Sequence, residues 1–327
     1  MKNVSVVLVL QARGLGELLS AVPALRALRR AEPRKRIVLA APHRLEQIVD
    51  LISSVDELVA TADPAALIWD GPAPELAVNL HGHDGASARA LADTGAERII
   101  GHRTPALPKL AGPRWDPEAH VVDRWCRLLE GEGIDADRRN LGLVPPVASI
   151  SRRDSIVVHI GAGAPARRWP PERFAAVVRH LLVLGRDVVL TGDPFEHDIA
   201  RQVAAQAGLP DDRVLAGRQN LTDLAATVAE AALVISGDTG VAHLATAFGT
   251  RTVLLFGPTP PRRGGPPAHL LGRHAVLWAG QVGDPDGLSP DPGLLRIGVP
   301  EVISAVDMQL DKQAWAESGR SRYRRVG

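Results

Sequence analysis

The chain has 327 residues, 45% hydrophobic and 23% charged, with a formal net charge of +1. That length suits two domains of roughly 150 residues, and that composition excludes a disordered chain. The near-neutral charge gives no electrostatic basis for nucleic acid as a main partner, and a single cysteine, Cys126, excludes an internal disulfide or a cysteine metal cluster.

Alternating apolar and amphipathic segments run through the first half. Residues 4–11 read as a strand, too short to span a bilayer and without a signal-cleavage site. Residues 17–30 read as one helix, with apolar Leu18, Leu19, Val22, Leu25 and Leu28 on one stripe. Strands follow at 36–41, 57–59, 76–80 and 98–101, with helices at 45–52, 86–94 and 119–132. Residues 134–154, with Pro145-Pro146, read as a linker. The second half repeats the alternation: strands at 155–160, 187–191, 213–215, 233–235, 252–256 and 275–278, and helices at 171–184, 196–207, 222–231 and 241–248. A last helix is expected at 300–315, followed by a disordered basic tail from 318 to 327 with at most a peripheral membrane contact. The pattern predicts two doubly wound α/β domains with parallel sheets, over 1–150 and 151–299, facing a cleft.

Four stretches at predicted strand ends carry polar chemistry. In the first, Arg13-Gly14-Leu15-Gly16-Glu17 opens a helix, and Glu17 is a carboxylate able to take a proton from an acceptor hydroxyl. The same residue also reads as a helix-start acid meeting the dipole. The Gly-x-Gly lacks a third glycine, which excludes a dinucleotide-binding dehydrogenase. In the second, Gly161-Ala162-Gly163 and the pair Arg167-Arg168, ahead of Trp169-Pro170, form a candidate diphosphate cradle of backbone N–H groups and guanidinium. Surface arginines beside a turn are the alternative.

In the third, Thr191-Gly192-Asp193-Pro194-Phe195-Glu196 offers Glu196 to ribose hydroxyls, or else as an unliganded helix-start acid. In the fourth, Ser236-Gly237-Asp238-Thr239-Gly240 lies between an apolar strand and a helix. Free N–H groups there favour an anion, Asp238 and Thr239 can bond sugar hydroxyls, and His243 follows one turn later. Asp and Thr before a helix are also ordinary N-caps. A further loop, His81-Gly82-His83-Asp84, follows another predicted strand and offers candidate bases; as a metal site it lacks further ligands.

The stretch 233–259, with the other motifs in order over nearly the whole chain, closely resembles glycosyltransferase family 9, the lipopolysaccharide heptosyltransferases. The resemblance implies a GT-B fold: the amino-terminal domain takes the acceptor, the carboxy-terminal domain takes the nucleotide sugar, and the last helix packs back on the amino-terminal domain. It implies that Arg167 or Arg168 is the basic phosphate ligand, that Glu196 meets the ribose, and that Asp238, Thr239 and Gly240 meet the sugar and diphosphate. The implied reaction is inverting transfer from a nucleotide-diphosphate sugar, with ADP-heptose favoured, to a hydroxyl of a glycan or small molecule. It needs no cofactor and would run in the cytoplasm. The family's catalytic Asp stands in a Gly-Asp pair; here the pair is Gly16-Glu17, one methylene longer, and a shift of about an ångström can cost ~10²-fold in rate. A sugar-nucleotide epimerase of the same fold and a catalytically weak nucleotide-sugar binder are the competing readings.

Overall fold

The computed structural model describes residues 5–147 and 152–323. Two compact units divide at Val144 and Pro145, beside the Pro145-Pro146 pair.

The amino-terminal unit runs β1 (Val6–Leu10), α1 (Leu15–Ser20), α2 (Val22–Ala31), β2 (Arg36–Ala41), α3 (Glu46–Ile52), β3 (Glu57–Ala60), β4 (Leu76–Asn79), α4 (Gly85–Asp93), β5 (Arg98–Ile100) and α5 (Val121–Glu130). Its five-stranded sheet has the order β3-β2-β1-β4-β5, and every pairing is parallel. The central strand β1, Val-Val-Leu-Val-Leu, is buried throughout, because helices cover both faces of a parallel sheet and no position looks at water. The single helix expected at 17–30 is two helices broken at Ala21. Pro23 has no N–H to give to the preceding turn, so the chain restarts with proline in the first turn of α2. Cys126 is buried in α5, and burial pushes its thiol up to about 12.

The carboxy-terminal unit runs β6 (Ile156–His159), α6 (Pro171–Val183), β7 (Val188–Thr191), α7 (His197–Ala207), α8 (Leu221–Glu230), β8 (Leu233–Gly237), α9 (Gly240–Phe248), β9 (Thr252–Phe256), α10 (Pro261–Gly264), β10 (His274–Trp278), α11 (Pro292–Leu295) and α12 (Val299–Tyr323). Its five-stranded parallel sheet has the order β10-β9-β8-β6-β7.

Two further expectations are corrected. The strand expected at 213–215 is absent: a 3-10 turn spans Asp211–Arg213, and only Val214 bridges to Leu190. The N–H groups of Leu215 and Ala216 both donate to the Leu190 carbonyl, at 2.8 and 3.1 Å, which turns the chain away instead of extending a ladder. The last helix continues to Tyr323, so 318–323 are helical where a disordered tail is expected; 324–327 lie outside the described residues. No proline follows Pro300 to stop it, and Lys312 to Glu317 are mostly good helix formers. For the packing of this helix, the structure shows Val302, Val306 and Leu310, at i, i+4 spacing, buried in the core of the carboxy-terminal unit with Val177, Leu255 and Ile297. Among the described residues, no helix is long and apolar enough to cross a membrane.

Candidate active site

In an open parallel sheet the crossovers leave a crevice where adjacent strands send their chains in opposite directions, and ligands bind there, at the carboxyl ends. In the carboxy-terminal sheet that point lies between β6 and β8. The two strands pair directly, with His159 opposite Ser236, so the turns that follow them are neighbours. The Gly161-Ala162-Gly163 turn leaves β6, and Gly237-Asp238-Thr239 leaves β8 to start α9.

These turns are closely packed. A Cβ on Gly237 would sit 3.3 Å from the Arg167 carbonyl oxygen, and one on Gly163 would sit 3.1 Å from Arg167 Nη2. Arg167 ends a 3-10 turn (Pro165–Arg167), and its Nε is buried with no hydrogen-bond partner. Arg168 is employed differently: its Nε donates to the Ala162 carbonyl at 3.1 Å. The two arginines, equivalent in the sequence, are thus separated by geometry. Thr239 occupies the N-cap position of α9 but makes no side-chain cap; its Oγ1 pairs with Ser236 Oγ at 3.0 Å. The ordinary N-cap alternative therefore does not account for Thr239. Asp238 and His243 are half-buried at the same helix start.

Glu196 is buried one strand over, after β7, and ties two loops together. Its Oε1 accepts the Ala162 N–H at 2.9 Å and its Oε2 accepts the Asp193 N–H at 2.8 Å. Asp193 returns the bond, accepting the Glu196 N–H at 3.0 Å, which completes a capping box. A carboxylate has about four acceptor sites, so capacity for hydroxyl donors remains. Burial pushes the Glu196 carboxyl up from its ordinary value, opposed by the two N–H donors. A Cβ at position 161 would overlap the Glu196 carboxylate, which would then have to leave its two N–H donors. Beside Glu196 and Arg168 lies a cavity of about 370 Å³, walled by Ile160, Trp169, Ile199 and Pro290. Sequence reasoning missed Asp193 as a partner, although Asp-x-x-Glu is the capping-box signature.

The amino-terminal sheet has its own switch point, between β1 and β4. Arg13, after β1, donates from Nε to the His81 carbonyl after β4, at 2.8 Å. Glu17 is half-buried in the first turn of α1, and its Oε2 lies 3.3 Å from where a Cβ on Gly14 would stand. Gly16 lies in the same turn. His81 is buried, with Nε2 3.9 Å from Asp84 Oδ2 and Nδ1 without a hydrogen-bond partner. Burial and the Arg13 charge push the imidazole down, against the pull of Asp84, Asp63 and Glu17. The fold thus brings Arg13, Glu17 and His81 together. His83 stacks on Trp115, ring centroids 4.5 Å apart. Among the described residues, no group of three or more His, Cys, Asp or Glu is placed to hold a metal ion.

Two parallel-sheet α/β units, each with a polar switch-point edge, define the GT-B class. Residues 116–276 match the model of glycosyltransferase family 9 (heptosyltransferase). Lipopolysaccharide heptosyltransferase 3 of Escherichia coli is 31% identical over 153 residues, 43% of this chain and 45% of that protein. The chain spans about half the length, or less, of the curated relatives it matches. Among solved structures, a family 9 glycosyltransferase from Veillonella parvula superposes with a TM-score of 0.79 at 23% identity, covering 95% of this chain and 99% of that one. The ADP-heptose heptosyltransferase II of E. coli superposes with a TM-score of 0.75 at 21% identity, covering 94% and 99%. The family model and these relatives support a glycosyltransferase family 9, heptosyltransferase-like protein.

Proposed function

We propose that the protein is an inverting glycosyltransferase that moves a heptose from ADP-heptose to an acceptor hydroxyl of a glycan or small molecule, in the cytoplasm. The observation that carries this reading is the buried, unpartnered Nε of Arg167 beside the glycine turns at the β6–β8 switch point. A cation held there without a partner is preorganised for an anion. The family match and the ADP-heptose heptosyltransferase of the same fold support the donor class.

On this reading the diphosphate lies against Arg167, the N–H groups of Gly161 and Gly163, which flank the Ala162 N–H held by Glu196, and the open start of α9 at Thr239-Gly240. Glu196 takes ribose hydroxyls, and Asp238 and His243 face the sugar. Glu17 removes the proton from the acceptor hydroxyl as that oxygen attacks the anomeric carbon. The bond from that carbon to the diphosphate oxygen breaks on the opposite face, which inverts the centre. ADP leaves with the electron pair, and its new negative charge is met by Arg167 and the N–H groups. Arg13, Gly14, Gly16, His81 and His83 form the acceptor side.

Calorimetric titration with ADP, UDP, GDP and ADP-heptose tests the reading. Selective binding of ADP and ADP-heptose, weakened by Arg167→Ala more than by Arg168→Ala, is expected. Absence of nucleotide binding sinks it. A new sugar-nucleotide stereoisomer formed from donor alone replaces it with an epimerase.

A further inference from the structure

The segment from Gly283 to Asp291 has no counterpart among the motifs read from the sequence, yet it grips the residue next to Arg167. The Ala166 N–H donates to the Gly287 carbonyl at 3.1 Å, and the Ala166 carbonyl accepts the Asp291 N–H at 3.1 Å. Both polar groups of the residue preceding Arg167 are therefore spent on this one segment. The segment is itself anchored at both ends. Gly283 N–H donates to the Pro258 carbonyl, just past β9, at 3.0 Å. Asp291 is buried and caps α11, its Oδ1 accepting the Leu294 N–H at 3.1 Å. A Cβ on Gly283 would collide with the Asp291 carboxylate, and one on Gly287 would sit 3.3 Å from Ala166 Cβ, so both glycines permit the close approach.

This grip bears on an energetic oddity. A buried donor without a partner costs about 1–3 kcal/mol. The Arg167 turn would relieve that cost by swinging its guanidinium into water, unless its backbone were held. We infer that residues 283–291 form a positioning clamp that holds the Arg167 turn in its diphosphate-binding conformation before ligand arrives. The inference rests on the reading of Arg167 as the diphosphate ligand. Asp291 and Gly287 are positioning residues, acting through Ala166.

The test compares Asp291→Pro with Asp291→Ala. The φ of Asp291 is −62°, which proline adopts without strain. Both variants lose the cap, and only proline also loses the N–H that reaches Ala166. Affinities for ADP and for adenosine, which has no phosphate, are measured in each. A loss of about tenfold in ADP affinity for Asp291→Pro relative to Asp291→Ala is expected, with adenosine unchanged. Gly287→Ala, which presses on Ala166 without touching the cap, shows the same ADP-selective loss. In the background of Arg167→Met, neither Asp291→Pro nor Gly287→Ala weakens ADP further. Equal ADP affinity in Asp291→Pro and Asp291→Ala, parallel losses for ADP and adenosine, or additive losses with Arg167→Met overturn the clamp. An Arg167→Met variant that binds ADP like the parent overturns the diphosphate reading itself, and the clamp with it.

Discussion

Replacing Arg167 by methionine separates a binding residue from a structural one by the sign of two effects. The substitution keeps most of the apolar stem and deletes the guanidinium. In the free protein the Arg167 Nε is buried without a partner, a burden of about 1–3 kcal/mol that methionine removes. The ligand-free variant is therefore expected to be as stable as the parent or more so. With nucleotide diphosphate bound, the same guanidinium gains a charge-assisted bond worth about 1.5–3 kcal/mol. Losing it weakens ADP roughly 10- to 150-fold. Denaturant titration without ligand reads the first effect and calorimetry with ADP the second. At 100 times the parent's Kd, ADP adds about 2.7 kcal/mol of stability to the parent and only about 0.3–1.4 kcal/mol to the variant, so ligand moves the comparison toward the parent. A variant that unfolds more readily without ligand yet binds ADP normally would refute the reasoning, because Arg167 would then be holding the loop together.

Further outcomes follow from the same geometry. Glu196→Gln sets an amide NH2 against a backbone N–H at Ala162 or Asp193; it should cost about 1–3 kcal/mol in urea denaturation and weaken ADP. Gly161→Ala expels the Glu196 carboxylate and is expected to abolish nucleotide binding by calorimetry. Glu17→Gln should lower kcat by about 10²–10⁴-fold while leaving donor affinity unchanged, and a donor Kd that moves in step with kcat would contradict its role as base. Acid should destabilise the fold through His102, His159 and His274, each buried and pushed down to about 4. A histidine lowered in the folded state contributes stability that is complete above pH 6.5 and is lost as pH falls toward 4, because the unfolded chain binds the proton first. At pH 5 the loss is roughly 2 kcal/mol per histidine, and equal urea midpoints at pH 7 and pH 5 would disprove it.

Most of the fold was legible in the sequence because a parallel sheet buried on both faces imposes unbroken apolar runs. Val6 to Leu10 and Thr252 to Phe256 can be little else, and each is followed by a glycine-bearing turn where ligands meet the sheet. Local chemistry was less complete. The run at 213–215 has strand composition, yet one carbonyl, that of Leu190, takes both following N–H groups and stops the ladder. Whether a short run pairs depends on its neighbours.

The sequence by itself determined the alternation of strands and helices, the family resemblance, and the set of polar residues standing at strand ends. These depend on periodicity and local composition. Only the tertiary structure decided which of two adjacent arginines is left with a buried, unpartnered donor. It alone showed that Glu196 spends half its acceptor capacity on two loops, and that His83 stacks on Trp115. The physical reason is that a hydrogen bond's partner is chosen by position in space. Ala162 and Glu196 are 34 residues apart in the chain and 2.9 Å apart in the fold.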